Sequence, residues 1–197
     1  NKYLNTTWTE ADVLGCYAGT RVLKRSEQSD PSSVSRDWTL KTTSNGAYYS
    51  IGGKLTSARQ DAESIVDQVC RQLGINVACT TLSQYFPWMP EDEFVSWKSK
   101  IETQAAQARI DKESIKWLIR RHGQHMADII STVQAQPELA ERIVPSLPFI
   151  FADLFYCAQN EMVIHLSDLL RRRMPLLILA QLDRDDLYRM ATRVANI

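Results

Sequence analysis

The chain has little of what marks several large protein classes. Its three histidines and four cysteines include no C-x-x-C pair, and Cys16, Cys70, Cys79 and Cys157 are widely spaced. A disulfide scaffold is not expected at this size and spacing, and reduced thiols are the expected state. No run approaches the roughly 18–20 apolar residues of a membrane span; Met174–Ala180 is the longest apolar stretch and is short. There is no excess charge of either sign, because Lys plus Arg and Asp plus Glu are 23 each, so nothing argues for a nucleic-acid surface. G-x-G-x-x-G is missing, as are internal repeats and low-complexity tracts. There is no signal-peptide pattern, and the opening Asn1-Lys2 without an initiator Met suggests an excised fragment.

What is present is enough for a core: 44% of the 197 residues are hydrophobic and five are Trp. The most informative stretch is Gly52-Gly53-Lys54-Leu55-Thr56. Ala47–Ile51 before it reads as a strand. After it, Ser57 and Gln60 offer a capping box, and Ala62, Ile65, Val66, Val69 and Leu73 recur at helical spacing until Gly74. Paired glycines let a backbone approach a ligand where a Cβ would clash. A helix N-terminus adds unpaired N–H groups and partial positive charge. The arrangement suits an anion or an electron-rich ring, although such turns also occur for packing reasons alone.

The first ~55 residues read as strand-rich. Asp12–Leu23 is a strand candidate, and Ser26–Ser35 a polar loop. Trp38, Leu40 and Thr42 alternate, as do Ala47, Tyr49 and Ile51, across an Asn45-Gly46 hairpin signal. From about residue 80 the pattern turns helical. Pro90–Glu93 makes a helix start, and helices are expected over 91–108, 111–121, 124–134, 138–143, 150–164, 166–172, 175–181 and 183–195. The fold expectation is α+β: an antiparallel β segment and one ligand-facing helix in residues 1–79, then an all-α domain in residues 80–197.

Three blocks in order, Gly19-Thr20-Arg21-Val22-Leu23, Ser35-Arg36-Asp37-Trp38-Thr39-Leu40 and the Gly-Gly-Lys run, resemble the C-terminal part of FAD-dependent glycerol-3-phosphate dehydrogenases. That family reads close to G-V-R-P-L, S-R-D-x-x-L and G-G-K-L-T-T-Y-R. Asp153–Met162 and Leu166–Arg173 resemble its helical domain. Val22, Ser57-Ala58 and Met174 depart from the pattern. The resemblance implies that residues 1–79 complete an FAD and substrate domain whose nucleotide-binding core and catalytic base lie upstream. It implies Arg21, Arg36 and Lys54 at the glycerol 3-phosphate site, and Gly52, Gly53, Lys54, Leu55 and Thr56 at the flavin. Electrons would pass to quinone, or to oxygen in an oxidase; another FAD-dependent enzyme of the amine-oxidase-like fold is the alternative, and the fragment alone would be inactive. Peripheral contact with a cytoplasmic membrane, or a cytoplasmic location, and a homodimer follow as further implications. The helical block could instead be an interaction module without catalysis.

The residue chemistry is consistent with this. A phosphate monoester dianion is well held by guanidinium forks, and two arginines from adjacent strands could clamp it; two exposed strand arginines are the alternative. Lys54 would favour anionic reduced flavin and an incoming phosphate ester, or be a solvated turn lysine. His122 and His125, three apart, and His165 have no further ligands nearby in sequence, so no metal is assigned. Cys70 and Cys157 fall on apolar faces and read as core. Arg171-Arg172-Arg173 would complement a helix C-terminus or meet anionic headgroups.

Overall fold

The computed structural model describes residues 5–20, 23, 25, 30 and 33–195. They form two compact units, one Ala18–Tyr85 and the other Phe86–Ile197 together with Asn1–Tyr17. The content is mostly helical with one two-stranded antiparallel sheet, compatible with an α+β class.

In the first unit, β1 (Thr39–Thr42) pairs with β2 (Tyr48–Ile51), in a register that sets Thr39 opposite Ile51 and Thr42 opposite Tyr48. Gly46 closes the turn at φ +85°, donating its N–H to Thr43 O at 3.0 Å, a left-handed conformation that suits glycine. Alternation is not sustained on β2: Tyr48 and Ile51 are half-buried while Tyr49 is exposed. Tyr48 is held by a hydrogen bond from its hydroxyl to Gln72 Oε1. That residue ends helix α1 (Ala58–Gln72), which Gly74 terminates at φ +69°. None of the described residues from 18 to 85 is fully buried, and Val66 and Leu73 on the expected apolar stripe of α1 are exposed.

The second unit holds the core. Helices α2 (Phe94–Gln107), α3 (Lys112–His122), α4 (Met126–Ala135) and α5 (Phe151–Asn160) are followed by α6 (Leu166–Asp168), α7 (Leu176–Leu179) and α8 (Arg184–Val194). Helices α3 and α4 each contribute an i, i+3, i+4 stripe, Ile115, Leu118 and Ile119 on α3 and Met126, Ile129, Ile130 and Val133 on α4. These close on Leu139, Ile143, Phe149, Phe151, Leu154, Leu169, Leu170, Met174 and Met190, all at or near zero exposure. Acidic caps start three helices: Glu93 accepts from Val95 and Ser96 N–H, Asp111 from Glu113 and Ser114 N–H, and Asp183 from Asp186 N–H.

Three expectations are corrected. Asp12–Leu23 is not a strand in its described part: a 3₁₀ turn covers Glu10–Asp12, and residues 13–20 pair with no other strand. With no described strand beside it, this segment has no ladder to join. Residues 138–143 are not a helix. A 3₁₀ turn, Pro137–Ala140, gives way to an antiparallel bridge between Arg142 and Ile150, with Ile143 N–H donating to Phe149 O at 2.9 Å. Pro145 and Pro148 push the residues before them out of the helical region. The expected 166–172 helix is split: α6 runs into a π-helical turn, Leu169–Arg173.

Candidate functional site

The candidate site is the strand–turn–helix junction of the first unit. β2 ends at Ile51, and Gly52 and Gly53 take φ +82° and +101°. A Cβ on Gly52 would stand 2.8 Å from Asp37 O, so the chain itself uses this close approach. Gly53 N–H donates to Arg36 O at 3.1 Å. The two segments that carry the Arg36 and Lys54 motifs are thereby laid side by side. Lys54 Nζ reaches Asp37 Oδ1 at 3.1 Å. A 3₁₀ turn, Leu55–Ser57, leads into α1.

The expected Ser57–Gln60 capping box does not form. The Ser57 side chain makes no cap bond; its hydroxyl donates to Lys54 O at 3.2 Å and Asp61 Oδ2 at 3.0 Å. Ser57 has already turned toward the helix, with ψ near 0°, so its side chain no longer faces the N3 amide.

Arg36, Trp38, Lys54, Gln60, Asp61 and Ser64 line a shallow cleft of about 330 Å³. Two cations therefore meet at the foot of a 15-residue helix, and Arg36 pairs with no carboxylate among the described residues. Leu55, 94% exposed, and exposed Thr56 leave the first turn open. The Lys54 ammonium and the Ser35 hydroxyl hold the Asp37 carboxyl below its ordinary range. Arg21 lies outside the described residues. Gly52, Gly53, Lys54, Leu55 and Thr56 are contiguous around the junction, so the structure brings together Arg36 and the whole proposed flavin-side run.

A second cluster, in the helical unit, was not legible in sequence. Asp153 on α5 is fully buried inside the run Phe151-Ala152-Asp153-Leu154. His122 Nε2 lies 2.8 Å from Asp153 Oδ1, and Arg121 Nη1 donates to Asp153 Oδ2 at 3.4 Å. Arg121 Nη2 also donates to Arg173 O at 2.5 Å and to Cys157 Sγ at 3.4 Å. His122, Asp153 and Cys157 thus bring ligand-type atoms within 4.8 Å of one another, although His122 has no such neighbours in sequence. The guanidinium already supplies the positive charge there, and burial, then the Asp153 charge, pushes the Cys157 thiol far up. A fully buried, protonated thiol is not an accessible nucleophile. The cluster joins α3, α5 and the Leu169–Arg173 turn; Arg173 Nε in turn donates to Glu161 O at 2.6 Å. A charged residue within an apolar helical run was its one sequence signal. Cys70 is half-buried, and His165 starts α6.

Residues 90–197 match the family described as the C-terminal domain of alpha-glycerophosphate oxidase. A glycerol-3-phosphate dehydrogenase of Synechocystis sp. is 34% identical over 172 residues, covering 84% of this chain and 30% of that protein. The mitochondrial glycerol-3-phosphate dehydrogenase of Arabidopsis thaliana is 29% identical over 208 residues, covering 99% of this chain and 32% of its own length. The aerobic glycerol-3-phosphate dehydrogenase of Staphylococcus aureus is 28% identical over 174 residues, 84% of this chain and 30% of that one. The chain spans about three-tenths of the length of these relatives.

Proposed function

The chain belongs to the family of the C-terminal domain of alpha-glycerophosphate oxidase, and from this premise we propose that it is the C-terminal part of an FAD-dependent enzyme that oxidises sn-glycerol 3-phosphate to dihydroxyacetone phosphate. Residues 1–79 form the last piece of its FAD and substrate domain, and residues 80–197 the appended helical domain. The observation that carries the reading is the meeting of Arg36 and Lys54 in one cleft at the N-terminus of α1. The relatives named glycerol-3-phosphate dehydrogenase support the substrate.

The residues present fit a flavin at this junction. Lys54, Leu55 and Thr56 are exposed just before a long helix, whose dipole would stabilise negative charge on an adjacent ring edge. When bound, FAD supplies the hydride-accepting chemistry. The chain's own residues bind and orient. Arg36 presents a guanidinium fork to a phosphate monoester. Lys54 sits where it can serve either the phosphate or the flavin side. Arg21 is assigned to the same phosphate by motif position. The catalytic base and the pyrophosphate site are supplied upstream, so this chain by itself is inactive and holds flavin weakly.

Quinone is the proposed electron acceptor, with a peripheral membrane location; among the described residues no helix is long and apolar enough to cross a membrane. A second reading, an oxygen-using oxidase, is favoured by the family's description. Assay of the full-length enzyme carrying this chain separates them. Turnover of sn-glycerol 3-phosphate with a quinone and little peroxide supports the dehydrogenase; stoichiometric peroxide supports the oxidase. No turnover with either acceptor, in flavin-loaded enzyme, would overturn both.

A further inference from the structure

We propose that Asp37 is the displaceable counter-anion of the Arg36–Lys54 cleft: it parks the Lys54 ammonium when the cleft is empty and yields it to an incoming phosphate monoester. The inference rests on the phosphate reading given above and adds a residue that the reading does not use.

The cleft carries two carboxylates as well as two cations, and they are held differently. Asp61, on the first turn of α1, accepts from the Ser57 hydroxyl at 3.0 Å, so it is anchored to its own helix. Asp37 faces Lys54 across the junction at 3.1 Å, and both side chains are open to water, 76% and 53% exposed. Ion pairs this exposed are weak and exchange readily. A phosphate dianion carries more charge than a carboxylate and offers three acceptor oxygens. It can also engage Arg36, which has no carboxylate partner among the described residues. It therefore displaces Asp37 from Lys54.

Asp37 is not a loose competitor. Ser35 supports it twice, with Oγ donating to Asp37 Oδ2 at 3.2 Å and accepting from Asp37 N–H at 3.2 Å. The carbonyl of Asp37 lies against Gly52, whose lack of a Cβ keeps the two segments in contact. The backbone that fixes Asp37 is thus the backbone that brings Lys54 to the cleft. The carboxylate keeps the lysine in place in the empty site, at the expense of some affinity for the ligand.

The test uses the 197-residue chain, isotopically labelled, at constant ionic strength. It is titrated with sn-glycerol 3-phosphate and, separately, with inorganic phosphate, while the amide resonances of residues 52–57 are followed by NMR. Asp37→Asn keeps the Ser35 contact and removes the charge; it should bind both probes about two- to fivefold more tightly than the parent. In a Lys54→Gln background the same substitution should give no gain, because the lysine it frees is gone. Arg36→Ala reports on the phosphate reading itself. If Arg36→Ala weakens binding but Asp37→Asn leaves it unchanged or weaker, the counter-anion role is overturned and the phosphate reading stands. If the gain persists without Lys54, Asp37 acts by general charge and the proposal fails. If neither probe moves these resonances in the parent or in Asp37→Asn, the counter-anion role is overturned, while the phosphate reading is decided by Arg36→Ala in the full-length enzyme. Gain with the ester but not with free phosphate assigns the displacement to substrate rather than to inorganic anion. Retained hairpin resonances from residues 39–51 verify that each variant is folded.

Discussion

Replacing Asp153 by alanine should unfold the helical unit far more readily than any surface change. The carboxylate has no exposure and answers two cationic or polar groups, the Arg121 guanidinium and the His122 ring. Removing one partner of a buried ion pair leaves the other uncompensated and costs about 3–5 kcal/mol. The long 3.4 Å contact to Arg121, whose side chain keeps 15% exposure and a second acceptor at Arg173 O, puts the expectation at the lower end. A loss of about 3 kcal/mol corresponds to roughly 10–20 °C in Tm for a unit of this size. Urea unfolding followed by circular dichroism at 222 nm reads it as a lower midpoint with an unchanged slope. Asp153→Asn, which still accepts hydrogen bonds, should lose less than Asp153→Ala. A loss under about 1 kcal/mol in Asp153→Ala would refute the view that the carboxylate ties α3, α5 and the arginine turn together.

Two further outcomes follow from local geometry. Gly123 ends α3 at φ +53°, and a Cβ there would fall 2.0 Å from Trp88 O; Gly123→Ala should lose about 2–4 kcal/mol from strain and overlap in the same urea assay. Asp111 caps α3 and meets Arg142 through a two-pronged contact, Oδ1 to Nη2 at 2.5 Å and Oδ2 to Nε at 3.1 Å. Arg142, then the Ser114 hydroxyl and amide, hold its carboxyl far below the ordinary range, against the opposing effect of partial burial. A depressed folded-state pKa stabilises above the unfolded value, near 4, and that stability is lost as pH falls toward the folded one. Asp111→Asn should therefore be less stable than the parent at pH 7, by about 1 kcal/mol or less since the pair is partly exposed. The gap should shrink below pH 4; a gap that widened there would contradict the assignment.

Local signals made much of this fold readable. Asn45-Gly46 between two β-rich runs placed the hairpin, and Gly74 after an apolar period marked the end of α1. In the helical unit, apolar periodicity and the Pro90–Glu93 start placed α2 to α5 and α8 within a few residues. Failures came where a neighbour decides. The 13–20 segment has strand-like residues but no strand beside it among the described residues. The 138–143 segment ends its helical turn at Ala140 and turns extended at Glu141, where Arg142 bridges to Ile150, a pairing set by a partner eight residues on. Ser57 had the right spacing for a capping box, but its hydroxyl found Asp61. At the candidate site, motif order singled out Arg36 and Lys54, which line one cleft, whereas Asp37 as Lys54's partner required the Gly52 contact to bring residues 17 apart together. The Asp153 cluster joins residues more than 30 apart, and no local pattern encodes such a pairing.

The most direct test of the central claim is the kinetics of Arg36→Ala in the full-length, flavin-loaded enzyme carrying this chain. Loss of a charge-assisted contact is worth about 1.5–3 kcal/mol, so kcat/KM for sn-glycerol 3-phosphate should fall roughly ten- to 150-fold. Turnover of glycerol, which has no phosphate, should change little. An unchanged kcat/KM for the phosphorylated substrate, with flavin content and fold intact, would contradict the account.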